Sequence, residues 1–209
     1  MKKCLLLLLV TFFLSVQCLF AQPNAVVQQH VAKSFPQWLQ HFGIKSVAKF
    51  TTADSSYIVA EMEYPENWVG YTTLYDAFFY KAPKGPYFID MFSVGRSVAL
   101  ENEKYVGYFE PDQALLLGKN STKLSAEGEG NATFQLSYCG TACSFEEAAW
   151  LNENEVVIVG NQSIDGDLVQ PMLIYFNVQN NLKIVYTLNI TPKPITKLYS
   201  GKKLKWIGM

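Results

Sequence analysis

The pattern of hydrophobic and polar positions is clearest in residues 145–188, where apolar runs alternate with polar clusters. β-branched and aromatic side chains fit a pleated, half-buried surface, whereas Asn and Gly favour the turns between strands. Short polar breaks join neighbouring strands as hairpins, so consecutive runs pair antiparallel. The stretch therefore predicts a β-meander of three strands, with apolar runs at 156–159, 172–178 and 182–188.

The first of these runs, 156–159, consists of four consecutive apolar residues. Successive side chains of a strand point to opposite faces, so a strand with one face in solvent alternates apolar and polar residues. The run therefore predicts a strand covered on both faces by other layers. Gly160-Asn161 is expected to end this strand. Asn180-Asn181 is expected to form the hairpin after the second run, because Asn tolerates the left-handed backbone of a tight turn.

Residues 25–43 form the one convincing helical region of the sequence. Apolar residues recur there at spacings of three and four, which makes one apolar stripe, namely Val27, Val31, Phe35, Trp38, Leu39 and Phe42. Ser34 is a candidate cap for a second helix with Pro36 in its first turn, and Gly43 is a natural stop. We expect one bent helix or two short ones, packed on the β core.

The remaining chain reads as strands and turns, predicted at 47–50, 57–64, 72–80, 87–92, 98–100, 105–109, 114–117 and 133–138, with a last hairpin at 200–201. Residues 100–117 are weakly similar to residues 151–174, and the offset between the two segments is near that of propeller blades. Any two β-meanders would show a similarity of this kind. The expected fold class is mainly β, an antiparallel meander (sandwich, barrel or propeller-blade-like units) with a short N-terminal helical segment. Residues 22–209 are expected to form a single domain, with helices over 22–44 and strands over 45–209.

Composition agrees with a packed β-rich domain, since the 209 residues include 14 Phe, 12 Tyr and 4 Trp and only 17% are charged. The formal net charge is −1, and removing Lys2 and Lys3 with a leader leaves 15 basic against 18 acidic residues, or −3. Nucleic-acid binding needs a basic surface, so this balance argues against a nucleic-acid partner.

The N-terminus predicts a secretory signal peptide over residues 1–21. Lys2-Lys3 is followed by an apolar segment, 4–20, and then by the small residue Ala21 at the expected cleavage site. The alternative is a retained membrane anchor, for which 17 residues are short. Lipid attachment at Cys18 would require a small residue before it, where Gln17 stands. A secreted, periplasmic or cell-envelope location is therefore expected, with no transmembrane anchor after leader removal.

Two cysteines remain after that cleavage, Cys139 and Cys143, which flank Gly-Thr-Ala. In an oxidising compartment the simplest expectation is a disulfide that closes a small loop and fixes a turn. A redox-active pair is the alternative. Such a pair usually has closer spacing and lies at a helix N-terminus.

Candidate catalytic and metal-binding residues are few. His30 and His41 both lie in the helical region, about 16 Å apart along a straight helix, which is too far for one metal ion. We therefore interpret them as surface or interface histidines and expect no metal and no cofactor. No GxSxG motif accompanies them.

Carboxylates are the remaining catalytic option, and the candidates are Asp76 and Asp90, each placed in a predicted aromatic-rich strand. Burial would raise the pKa of a carboxyl group and suit a general acid, and two such groups across a cleft can hydrolyse a glycosidic bond. The competing interpretation is that each faces solvent or accepts hydrogen bonds from a turn. Asp165-Gly166-Asp167 is interpreted as a plain turn, because it lacks a full calcium-ligand set.

Aromatic residues crowd one region of the sequence, and they give the binding candidates Trp68, Tyr71, Tyr75, Tyr80 and Tyr87. Flat rings on a rigid sheet can stack on sugars or form a protein-binding patch, whereas buried ones fill the core. The favoured function is an exported, non-catalytic binding or interaction module for a glycan, peptide or protein. The alternatives are a carboxylate-dependent hydrolase and a β-barrel that binds an apolar small molecule.

Overall fold

The computed structural model describes residues 21–57, 60–62, 75–84, 87–92, 98–102, 104–107, 112–118, 132–165, 168–188, 193–194 and 199. The leader segment 1–20 and the hairpin expected at 200–201 lie outside these residues. The described chain is mainly β with antiparallel sheets and a short N-terminal helical part, which confirms the expected fold class.

The helical part consists of two short helices, α1 (Ala25–Ser34) and α2 (Pro36–His41). The Asn24 side chain caps α1 by accepting a hydrogen bond from the Val27 amide at 2.9 Å. Pro36 opens α2, and Gly43 follows it with φ 66°, as expected for a helix stop. The expected cap is wrong: Ser34 is the last residue of α1, and Phe35 occupies the cap position of α2 without a side-chain hydrogen bond.

The central sheet contains the predicted meander. Its strands are β1 (Phe50–Tyr57), β9 (Cys143–Trp150), β10 (Glu155–Asp165), β11 (Leu168–Asn177), β12 (Leu182–Leu188) and β13 (Lys193–Pro194). Their order is β1-β12-β11-β10-β9, and β13 pairs with β11 beside this path. All neighbouring strands are antiparallel. Asn181 forms the β11–β12 hairpin with φ 55°, as predicted.

The other described strands form a second antiparallel sheet and a separate hairpin. They are β2 (Ala60–Met62), β3 (Tyr80–Lys81), β4 (Phe88–Asp90), β5 (Val98–Glu101), β6 (Lys104–Gly107), β7 (Gln113–Gly118) and β8 (Ala132–Tyr138). The second sheet has the order β2-β8-β7-β4-β3, and the hairpin joins β5 to β6. Asn102 turns that hairpin with φ 47°. The Lys183 ammonium, on β12, donates to the Ser137 hydroxyl on β8 at 3.3 Å and so links the two sheets.

The central sheet is covered on both faces, as the run at 156–159 predicted. Val156 and Ile158 pack into a core shared with the second sheet, which we call the sheet-facing core. Val157 and Val159 pack into a core shared with α1 and α2, which we call the helix-facing core. All four side chains are fully buried. The helices, the central sheet and the second sheet therefore form three layers.

Strand β11 is longer than predicted, since it begins before Pro171 and continues through it. The strand that pairs with β11 on this edge changes at the proline. The ladder of β11 with β12 reaches Met172, and β13 pairs with residues 168–169 instead. Pro171 stands between these two ladders, where the absence of a backbone N–H is tolerated. The side-chain amide of Gln170 donates to the Leu188 carbonyl oxygen and so continues the contact between the strands.

Other boundaries also differ from the prediction. Residues 47–49 and 76–78 form 3-10 turns rather than strands. Gly160-Asn161 does not end β10, which continues to Asp165. Strand β9 was not predicted at all. Within the described ranges, neither helix has the length and apolar content needed to cross a bilayer.

Candidate functional site

The predicted aromatic residues divide into two groups. Trp68 and Tyr71 lie outside the described residues. Tyr75, Tyr80 and Tyr87 are half-buried and pack against the sheet-facing core. Tyr75 and Tyr87 therefore combine a structural role with a partly exposed surface, whereas the hydroxyl group of Tyr80 is buried.

The ring of Tyr75 contacts that of Tyr105, which is not among the residues predicted from the sequence. Its ring centroid lies 6.2 Å from that of Tyr105 on β6, with an angle of 52° between the rings. Phe78, which is fully buried, contacts both, at 6.4 Å from Tyr75 and 4.8 Å from Tyr105. Burial, and then the proximity of Tyr75, raises the pKa of Tyr105. We call Tyr75 and Tyr105 the tyrosine pair.

Tyr80 and Tyr87 stabilise the β3–β4 region. The Trp150 indole N–H donates to the Tyr80 carbonyl oxygen at 2.7 Å, and the Ala82 amide donates to the Tyr87 carbonyl oxygen at 2.9 Å. Burial raises the pKa of Tyr80 well above its usual value, and the negative charge of Glu147 raises it further. These contacts fix the backbone at β3 and at the start of β4.

The two candidate aspartates lie in different environments. Asp76 begins the 3-10 turn at 76–78 rather than a strand, and its carboxylate contacts the Lys81 ammonium at 2.6 Å with both side chains largely exposed. Asp90 is fully buried at the end of β4, and its Oδ1 accepts from the Phe92 amide at 3.2 Å. A hydrolase that uses these residues stays a prediction, which Asp76→Asn and Asp90→Asn would test against a glycan panel.

A pair of buried glutamates on β9 is the most polar feature of the core. Glu147 pairs with Val159 and Phe145 pairs with Gly160, so Glu146 is the extra residue of a β-bulge. A Cβ atom on Gly160 would lie 2.1 Å from the Ser144 carbonyl oxygen, so the bulge requires glycine there. The bulge places both carboxylates on the helix-facing side, although the residues are consecutive.

Both carboxylates are held by hydrogen-bond donors. Glu146, 3% exposed, accepts from the Trp38 indole N–H at 2.6 Å and from the Asn161 side-chain amide at 2.9 Å. Glu147 accepts from the Tyr199 hydroxyl. A buried carboxylate is costly unless donors replace its water, and these contacts supply them. The bond from Trp38 also attaches α2 to the central sheet.

Tyr199 extends this polar cluster toward the surface. Burial, its hydrogen bond to Glu147 and the negative charges of Glu147 and Glu146 all raise the pKa of Tyr199. Its ring lies 5.5 Å from the exposed ring of His41. The cluster is a structural anchor: its described contacts hold elements together, and acidic side chains alone do not define a ligand site.

Cys139 and Cys143 form the expected disulfide, with Cα atoms 5.6 Å apart. It closes the 3-10 turn at 140–142, in which Gly140 has φ 55°. The Cys139 amide also donates to the Asp112 carbonyl oxygen at 3.0 Å, which ties the turn to the chain before β7. The preceding residue, Tyr138, is 62% exposed.

The histidines lie on different helices. Burial lowers the pKa of His30, a hydrogen bond with the Ala149 backbone opposes this effect, and Lys33 lowers it further. In the described part of the chain, no three His, Cys, Asp or Glu side chains come together in a way that would hold a metal ion.

Two features escaped sequence reasoning for different reasons. The Glu146-Glu147 pair had a local signal, because two acidic residues interrupt an otherwise apolar segment, 145–150. The bulge that buries both side chains could not be predicted, since successive residues of a regular strand point to opposite faces of the sheet. Tyr105 had no local signal, since its contact with Tyr75 joins segments thirty residues apart. Comparison with known protein families, with curated proteins and with solved structures finds no match.

Proposed function

We propose that this chain is an exported binding or interaction module that recognises a glycan or a partner protein with the surface around the tyrosine pair. The observation that carries the proposal is the contact of Tyr75 and Tyr105 at 6.2 Å, with both rings half-buried. Rings that fill a core are buried completely, as Phe78 is. The tyrosine pair instead keeps part of its surface available.

The support beneath these rings favours binding. Phe78 packs against both members from below, which limits their rotamer freedom before a ligand arrives. A side chain that is already ordered loses less entropy on binding. The exposed Asp76 and Lys81 follow closely in sequence and supply charged hydrogen-bonding groups beside the aromatic surface. Aromatic faces bordered by polar groups are suited to sugars and to protein hot spots.

Export is supported by the leader pattern at residues 1–21 and by the Cys139–Cys143 disulfide. Disulfides persist in oxidising compartments and are rare in the reducing cytosol. Cell fractionation tests this part: the exported chain should begin near Gln22 and resist thiol alkylation until it is reduced. Recovery in the cytosol with an intact leader would contradict it.

Binding is tested by a thermal-melt screen of residues 22–209 against glycans and cell-wall fragments. A ligand that binds only the folded state raises the melting temperature in a saturable way. Tyr75→Ala and Tyr105→Ala should abolish this rise. Tyr57→Ala is the matched control, because Tyr57 is 71% exposed on β1 in the central sheet.

The outcomes separate the two ligand classes. A saturable glycan shift that both alanine variants remove supports sugar recognition. A flat glycan screen, followed by capture of a defined partner that only Tyr57→Ala retains, supports protein recognition. If both alanine variants bind as well as the wild type, the site is wrongly placed, and Trp68→Ala and Tyr71→Ala then test the other predicted residues.

A further inference from the structure

We propose that a cleft on the outer side of the helical layer binds a small amphiphilic carboxylate, such as a medium-chain fatty acid. The cleft has a volume of about 390 Å³. It lies between α1, α2 and the segment 44–47, and none of its lining residues belongs to the tyrosine pair. It is therefore a second site, independent of the proposed recognition surface.

One wall of the cleft is a face of α1. Ala25, Gln28, Gln29 and Ala32 line it, at the spacing of one helix face, while Val27 and Val31 of the same helix enter the helix-facing core. The small alanine side chains at both ends of this face leave room for a ligand. The Gln28 side-chain amide donates to the Pro23 carbonyl oxygen at 2.6 Å, which fixes the orientation of this polar group.

The opposite wall is mostly apolar. It is formed by Leu39 on α2 and by residues 44–47, among which Ile44 and Val47 supply aliphatic surface and Lys45 and Ser46 supply polar groups. Val47 is buried and Leu39 is half-buried against the helix-facing core, so this wall is anchored. An aliphatic chain can contact Leu39, Ile44 and Val47 without leaving a polar group unsatisfied.

The charge of the lining selects the head group. Lys45 is the one charged residue among the described residues that line the cleft, and the other polar lining residues are two glutamines and a serine. An ammonium group with neutral hydrogen-bonding neighbours favours an anion over a cation or a neutral head group. The aliphatic wall and this cation together favour one molecule with a carboxylate at one end and a hydrocarbon chain at the other.

The size of the cleft limits the chain length. Its volume is near the lower end of the range for ligand pockets, about 300–1,000 Å³. Each methylene group transferred from water to the apolar wall should tighten binding by up to about fourfold, the value for complete burial. Affinity should therefore rise from hexanoate to octanoate to decanoate and then stop rising once the chain exceeds the cleft.

Isothermal titration calorimetry of residues 22–209, below the micelle concentration of each probe, tests the proposal. Decanoate should bind more tightly than decanol. Lys45→Gln should weaken decanoate binding about tenfold and leave decanol unchanged. Lys49→Gln is the matched control, because Lys49 is exposed nearby and does not line the cleft. Equal binding of decanoate and decanol, or an unchanged Lys45→Gln variant, would overturn the assignment of the head group.

A second variant tests the location. Ala32→Leu places a larger side chain in the cleft at an exposed helix position and should remove decanoate binding while the melting temperature stays near that of the wild type. Val26→Leu is the control on the same helix, since Val26 is 67% exposed outside the cleft. Should Ala32→Leu lower the melting temperature, Ala25→Leu replaces it. Full decanoate binding by the filled variant would disprove this site.

Discussion

The two faces of the central sheet are buried by different kinds of side chain. On the sheet-facing side, Val156 and Ile158 meet apolar and aromatic side chains of the second sheet. On the helix-facing side, Val157 and Val159 share their layer with Glu146 and Glu147, which are both 3% exposed. One strand, β10, contributes to both faces, so the difference arises from the neighbouring strand β9 and its bulge.

Apolar packing and buried polar contacts stabilise the fold in different ways. An apolar layer tolerates changes of shape when its volume is kept, because its contacts are not directional. A buried carboxylate requires donors at defined positions, and Glu146 receives one from α2 and one from β10. The helix-facing side therefore fixes the position of α2 on the sheet. Removing one partner of such a buried contact should lower the free energy of unfolding strongly, because the other partner is left unsatisfied.

The largest expected effect follows from removing the anchor. Glu146→Ala leaves the Trp38 indole N–H and the Asn161 amide without their acceptor in a buried site. Two unsatisfied donors and a cavity should lower the free energy of unfolding by about 3–5 kcal/mol. Urea denaturation monitored by circular dichroism measures this change.

The control for that substitution is Glu153→Ala, on the exposed turn before β10, which should change the free energy of unfolding by less than about 0.5 kcal/mol. An effect of Glu146→Ala below about 1 kcal/mol would mean that the carboxylate does not anchor α2.

A smaller effect is expected from removing one donor. Asn161→Ala takes away one of the two described donors of Glu146 and keeps the Trp38 contact, so the free energy of unfolding should fall by about 1–3 kcal/mol. In the double variant with Glu146→Ala, the two effects should not add, because both remove the same hydrogen bond. Strict additivity would show that the two side chains act independently.

The opposite face supplies the reference for this comparison. Ile158→Val deletes one methylene group from the sheet-facing core and should cost about 0.5–1.5 kcal/mol. The same denaturation experiment measures it. A cost as large as that of Glu146→Ala would erase the distinction between the two faces.

The sequence predicted the features that depend on local pattern. The four apolar residues at 156–159 indicated coverage on both faces, and the apolar stripe of the helices indicated where they pack. Pro36 and Gly43 marked the second helix, and the spacing of Cys139 and Cys143 indicated the disulfide. Each of these depends on the backbone geometry of a few adjacent residues.

The features that sequence reasoning missed depend on contacts between distant segments. The bulge at Glu146 exists because the Gly160 backbone on β10 approaches β9 closely, which neither segment reveals alone. The tyrosine pair joins a 3-10 turn to the β5–β6 hairpin, and the cleft joins α1 to the segment 44–47. Candidate sites of this kind are set by tertiary packing, so composition could supply the residue types but not their arrangement.

The smallest expected effect at neutral pH concerns Tyr175 on the helix-facing side. Burial and a hydrogen bond to Glu155 raise the pKa of Tyr175 to about 12, above its usual value of 10. The folded state therefore keeps this proton more tightly than the unfolded state, so stability is complete below pH 10 and falls as the pH rises toward 12. Unfolding measured between pH 8 and pH 11 should show this decline, and Tyr175→Phe should reduce its slope. Tyr57→Phe, at an exposed site, should leave the slope unchanged. If the slope were equal in wild type and Tyr175→Phe, the loss of stability at alkaline pH would have to come from other tyrosines with raised pKa values. Tyr199 and Tyr186 are two such tyrosines on the helix-facing side.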